Sequence, residues 1–199
     1  MNAAPKLIEL LYANIGRPIT SDLAADICMA ASGRVVRPMP LAAEFGNAIY
    51  HGIEFRVERM VDVLEEIKAL HANHWGETEG YRDAVGFEPD YTQYVALDRA
   101  GSFLLVTARA EAKMVGYFMF VLYTSRHSSK YVAAEDAFYL DPDHRIGFAL
   151  VTMLRFSEAC LKRLDVKQIT LAEKLTHRIG PVLKRAGFDY CGNFWTKVL

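Results

Sequence analysis

The residues best placed for chemistry lie at one junction: Tyr139-Leu140-Asp141-Pro142-Asp143-His144-Arg145-Ile146-Gly147-Phe148-Ala149. A predicted strand ends there, a proline-containing turn follows, and a long predicted helix opens with an arginine and a glycine at its mouth. The first N–H groups of a helix have no internal partner. Together with the helix dipole they favour phosphate or another anion. Arg145 adds a charged fork of donors, and Gly147 lets the backbone come close to a bulky anion. From spacing alone, phosphate binding stands beside a bland reading, because many strand-to-helix turns carry an arginine and a glycine and bind nothing. No His, Cys and Asp group has the spacing of a metal site. Cys28, Cys160 and Cys191 are odd in number and far apart, so they form no disulfide framework and suit a reducing cytoplasm.

The elements that must position this junction follow from periodicity. The residues at positions 1–51 read as a helical hairpin and linker: Leu7, Ile8, Leu10 and Leu11 form a helical stripe, a second helix runs from 23 to 31, and Pro38 and Pro40 mark a connector. From 52 to 199 the pattern is that of one domain. Ile53, Phe55 and Val57 alternate with charged residues as a half-buried strand. A helix follows from 61 to about 73, then a loop to Pro89 and a short helix over 91–99. Strands over 102–109 and 114–124 make a hairpin about Glu111-Ala112, and 131–140 is a third strand. The long helix spans about 145–163, a strand 167–171, a helix from Thr176 to Arg185, and two strands, 188–190 and 194–198, close the chain. The order predicts an α+β fold, a mixed and mostly antiparallel sheet flanked by helices, with an N-terminal helical extension.

Composition narrows the classes. With 52% hydrophobic residues over 199 positions the chain can bury a core, which excludes global disorder. Twenty-three basic and 24 acidic residues leave a net charge of −1, which argues against a nucleic-acid coat protein. No stretch has the length of a membrane span and the start lacks a secretory pattern, so the expected location is cytoplasmic. The run from Leu7 to Leu11 reads as packing or a homodimer contact rather than a membrane anchor.

The junction also resembles the GNAT N-acetyltransferases, whose hallmark is a strand, Pro-x-x-Arg, a glycine-rich turn and a helix ending in Leu-Leu and Glu. Pro142-Asp143-His144-Arg145 and, downstream, Met153-Leu154-Arg155-Phe156-Ser157-Glu158 match that frame, and Val182-Leu183-Lys184-Arg185-Ala186-Gly187-Phe188 is similar to the family's closing helix. The markers His74, Trp75 and Glu77, Val115-Gly116-Tyr117, His127 and Ser128, Asp136, and Lys197 with Leu199 resemble a branch common in phages and prophages, whose home would be a bacterial host's cytoplasm. The family's two small turn positions fall on Phe148 and Leu150 counted from Arg145, or on Gly147 and Ala149 counted from His144. A tyrosine that many relatives use as general acid corresponds to Leu183.

The resemblance implies acetyl-CoA, or another acyl-CoA, as cofactor. Its pantetheine would lie along Phe138 to Leu140 and its pyrophosphate on His144, Arg145, Ile146, Gly147, Phe148 and Ala149. Transfer would be direct: an amine loses a proton and attacks the thioester. Asp136 is the first choice for the proton acceptor and Glu135 the second, with their side chains on opposite faces. Tyr139 or Tyr190 would be the acid. His74, Trp75, Glu77 and His127 would contact the acceptor, a primary amine on a small molecule or protein. Two rivals remain. One is a non-catalytic GNAT-like binding module. The other is a phage-type nucleobase-modifying acyltransferase with a basic face of Arg34, Arg37, Arg82, Arg126 and Lys130, less favoured on net charge.

Overall fold

The computed structural model describes residues 4–20, 23–24, 27, 39–78, 86–174, 177–194 and 197. Helix α1 covers Ala4–Ala13, and a short 3-10 turn, Ala42–Phe45, leads into the sheet. The strands are β1 (Asn47–Tyr50), β2 (Ile53–Val57), β3 (Phe103–Ala110), β4 (Lys113–Thr124), β5 (Tyr131–Leu140) and β6 (Gln168–Thr170). Between β2 and β3 come α2 (Met60–Thr78) and α3 (Tyr91–Arg99). Between β5 and β6 come a 3-10 turn (Pro142–His144) and α4 (Ala149–Arg163), and α5 (Gly180–Arg185) follows β6.

The six strands lie side by side in chain order, antiparallel except for the β5–β6 pair, so the fold is α+β as expected. β3 and β4 are apolar on both faces because both faces are covered. One face, with Phe55, Leu104, Val106, Phe118 and Phe120, packs under α4 through Met153, Leu154, Phe156 and Leu161. The other, with Phe103, Leu105, Tyr117, Met119 and Tyr139, packs under α2 and α3 through Met60, Val63, Ile67 and Tyr94. Met153 has no exposed surface, and its truncation to alanine costs roughly 2–5 kcal/mol.

Arg109 anchors α2 to the sheet. Its Nε donates to Glu58 at 2.7 Å and its Nη2 to Glu66 on α2 at 2.7 Å. Hydrogen bonding to Arg109 holds the Glu66 carboxyl below its usual value. Arg59, just ahead of α2, grips the buried carboxylate of Asp98 at 2.9 Å. These contacts fix the helix that carries His74 and Glu77.

Three expectations change. The sheet begins at Asn47, in the stretch expected to be linker, because the residues flanking His51-Gly52 pair as a hairpin and both turn residues have positive φ, 48° and 79°. The expected strand over 188–190 does not form, nor does residue 194 start one; Tyr190 and Phe194 are exposed and have no partner strand among the described residues. The long helix begins at Ala149 rather than near Arg145, because the proline turn and Gly147 come first. The expected second helix over 23–31 and the cap at Thr176 lie largely outside the described residues.

Candidate active site

β5 and β6 pair only at one end. Val132, Ala133 and Ala134 run beside Gln168, Ile169 and Thr170, and beyond them the chains part. The gap is a cleft of about 260 Å³. Glu135, Phe138, Tyr139 and Leu140 line one wall, and Ala172, Lys174, His177, Ile179 and Val182 the other. His74, Glu77 and Thr78 of α2 close one end; Arg145, Ile146, Gly147, Leu150 and Val151 supply the rest.

A bulge sets which side chains enter. Phe120 pairs with Glu135 and Met119 with Ala137, so Asp136 is the extra residue. The alternation slips by one there, which puts Glu135, Phe138 and Leu140 on the cleft side despite their uneven spacing. Glu135 Oε2 accepts the Ala172 N–H at 2.9 Å, and burial pushes its carboxyl above the usual value. Asp136 faces α3 and accepts the Tyr94 hydroxyl at 2.7 Å. Gly116 on β4 keeps this segment close: a Cβ there would stand 2.6 Å from the Tyr139 carbonyl oxygen.

The turn presents unpaired donors. Gly147 has φ +48°, and Ala149 is fully buried where the helix starts. Among the described residues the Ile146 and Gly147 N–H groups have no hydrogen-bond partner, and neither do those of Leu150 and Val151 in the first turn of α4, whereas the Ala149 N–H donates to the Ile146 carbonyl at 2.9 Å. The Phe148 N–H donates to the Tyr50 hydroxyl at 3.0 Å.

Arg145 ties the turn to the cleft. Its Nε donates to the Leu140 carbonyl at 2.6 Å, and its two terminal nitrogens meet the Glu77 carboxylate at 2.6 and 2.8 Å. His177 Nε2 lies 2.6 Å from the same carboxylate. Bonding to Arg145 holds the Glu77 carboxyl below its usual value. The guanidinium sits 5.7 Å from the Tyr139 ring centre. His74 stacks on the other side of this cluster, 5.3 Å from Tyr139, with Nδ1 2.8 Å from the Tyr117 hydroxyl.

No protein-family model and no curated protein matches the sequence. Solved structures do match. An aminoglycoside acetyltransferase from an uncultured soil metagenomic sample aligns with a TM-score of 0.58 and 12% identity over 76% of this chain and 100% of that one. A ribosomal-protein-alanine N-acetyltransferase from Brucella melitensis biovar Abortus 2308 gives 0.55 and 14% over 75% and 97%. A GNAT family acetyltransferase from Staphylococcus aureus gives 0.51 and 19% over 74% and 99%. The fold is that of the GNAT acetyltransferases. At these identities, 12–19%, the likeness carries the fold alone.

Within this GNAT fold the cleft gathers Glu135, Phe138, Tyr139, Leu140, Arg145, Ile146, Gly147, His74 and Glu77 from the residues singled out in the sequence. It does not gather the others. Asp136 points to Tyr94. Trp75 packs on Phe87 at 5.5 Å. His127 is exposed in the β4–β5 loop, and Tyr190 is exposed beyond α5. His144 Nδ1 sits 3.5 Å from Asp141, Phe148 is largely exposed and Ala149 is internal. Arg126 and Lys130 are exposed, while Arg34, Arg37 and Arg82 lie outside the described residues. Sequence reasoning missed Tyr50, Lys174 and His177. Only Tyr50 had a signal, the alternation of Ala48 and Tyr50 before the His51-Gly52 turn.

Proposed function

We propose that the chain is an acyl-CoA-dependent N-acyltransferase that moves an acetyl group from acetyl-CoA to a primary amine of a small molecule or protein by direct attack. The observation that carries this reading is the half-buried carboxylate of Glu135 in a cleft that ends on an anion-binding turn. The turn suits a diphosphate: two N–H groups are unpaired, a guanidinium is adjacent, and a side chain at Gly147 would fill the cradle, its Cβ 2.3 Å from the Tyr50 hydroxyl. Arg145, Ile146, Gly147 and the first turn of α4 would hold it. When bound, the cofactor supplies a thioester carbonyl open to attack and a thiolate leaving group.

The chain's own residues do the rest. Glu135 takes a proton from the amine, directly or through water, and burial raises its carboxyl pKa in the direction that suits a general base. The unpaired side of β5 beyond Ala134 offers backbone donors to a carbonyl oxygen. Tyr139, kept protonated by burial, is the donor to the departing sulfur. His74 and Glu77 form the acceptor end. The amine acceptor accords with the N-acetyltransferase among the structural neighbours.

A second reading, a non-catalytic binding module, is favoured by one observation: Tyr50 and Glu77 already occupy donors of the turn. Calorimetric titration with acetyl-CoA, followed by free-thiol release across a panel of amines, tests both. Binding with amine-dependent thiol release is the expected result. Absence of binding up to millimolar cofactor rejects the enzyme.

A further inference from the structure

Some donors of the anion turn, the Arg145 guanidinium and the Phe148 N–H, are already taken by the chain's own oxygens, which come from two different elements. The Glu77 carboxylate on α2 meets both terminal nitrogens of Arg145, a two-pronged contact of the kind guanidinium makes with phosphate. The Tyr50 hydroxyl on β1 accepts the Phe148 N–H, directly over Gly147. An anion in the turn needs these same donors. Glu77 is further held by His177 from the opposite wall, so its position is fixed from both sides of the cleft.

We propose that Glu77 and Tyr50 are affinity-setting residues of the cofactor site: they stand in for the two phosphate groups of the CoA diphosphate and must be displaced when it binds. This inference rests on the acyltransferase reading of the same cleft. It assigns Glu77 to competition at the cofactor end, beyond contact with the acceptor. It also gives Tyr50, which lies ahead of the first predicted strand, a place in the site. The exchange is a swap of one carboxylate for one diphosphate on Arg145. Affinity is therefore lower than the donor set alone would give, and removing the internal anion raises it.

The experiment is calorimetric titration of coenzyme A, with inorganic pyrophosphate as a second probe, into the full chain and its Glu77→Gln and Tyr50→Phe variants. Circular dichroism serves as a folding check. Glu77→Gln keeps the shape of the side chain and removes its charge, and Tyr50→Phe removes one oxygen. The expected result is tighter coenzyme A binding, about tenfold for Glu77→Gln and about threefold for Tyr50→Phe, with pyrophosphate following the same order. Folded variants that bind no tighter than the parent, while the parent itself binds, overturn this inference and leave the acyltransferase reading intact. Absence of binding by all three chains up to millimolar ligand overturns both. Binding by the variants alone supports both.

Discussion

Glu135 and Asp136 are neighbours on β5, yet the first accepts the Ala172 N–H inside the cleft and the second accepts the Tyr94 hydroxyl on the opposite face of the sheet. The two carboxylates therefore have separable roles. Glu135→Gln should lower turnover by about 100-fold, within the range for loss of a general base, with coenzyme A affinity nearly unchanged. The parent rate should fall on the acid side as Glu135 takes up its proton, at a pH above that of an ordinary carboxyl because burial raises its pKa. That acid limb should vanish in the variant. Asp136→Asn serves as the contrast: if it, and not Glu135→Gln, removes the limb, the proton goes to Asp136.

Arg145→Ala should weaken coenzyme A binding by at least about tenfold, through loss of charge-assisted hydrogen bonds to phosphate. Its effect on stability should stay near 1 kcal/mol or less, since the ion pair with Glu77 is partly exposed. Chemical denaturation and calorimetry on the same preparation separate the two effects. Equal affinity in parent and variant rejects the assignment of the turn.

Gly147→Ala tests the cradle. Its φ of +48° is strained for any residue with a Cβ, and that atom would stand 2.3 Å from the Tyr50 hydroxyl. The variant should lose about 1–2 kcal/mol of stability along with most of its anion affinity. Adding Tyr50→Phe should restore part of the stability, giving a coupling of at least about 0.5 kcal/mol in a double-mutant cycle. Simple additivity would mean that Tyr50 does not press on Gly147.

The legible parts of this molecule were those written in local pattern. Alternation along Ile53, Phe55 and Val57 gave the strand at its observed bounds, and periodicity gave the end of the long helix at Arg163 but not its start at Ala149. The proline turn and Arg145 pointed to a junction that lines the cleft. What periodicity cannot carry is how distant segments meet. The bulge at Asp136 decides which carboxylate enters the cleft, and it depends on register with Met119 and Phe120. The ion pair of Glu77 with Arg145 spans 68 positions, and Tyr50 reaches Phe148 across 98. The unformed strand at 188–190 shows the converse, since Phe188 and Tyr190 have strand propensity but pair with no strand among the described residues.

His71 gives the last prediction. It is buried beneath α3, its ring 5.1 Å from Tyr117, 5.8 Å from Tyr91, 5.9 Å from Tyr94 and 6.2 Å from Phe87, and Nδ1 has no hydrogen-bond partner. Burial pushes its pKa below the ordinary value, with the Asp136 carboxylate, itself bound by Tyr94, opposing the shift in part. The folded state thus favours neutral imidazole, whereas the unfolded chain takes up a proton near pH 6.5. The stability due to this group is complete above about pH 6.5 and is lost as pH falls from there through the depressed folded value, at a limiting slope of about 1.4 kcal/mol per pH unit. His71→Phe keeps an aromatic ring in the cage and removes the titration. Urea denaturation between about pH 5 and 8 should show a smaller acid-side decline in the variant than in the parent, the span being set by the ordinary histidine value. Parallel curves would mean that another group governs that decline.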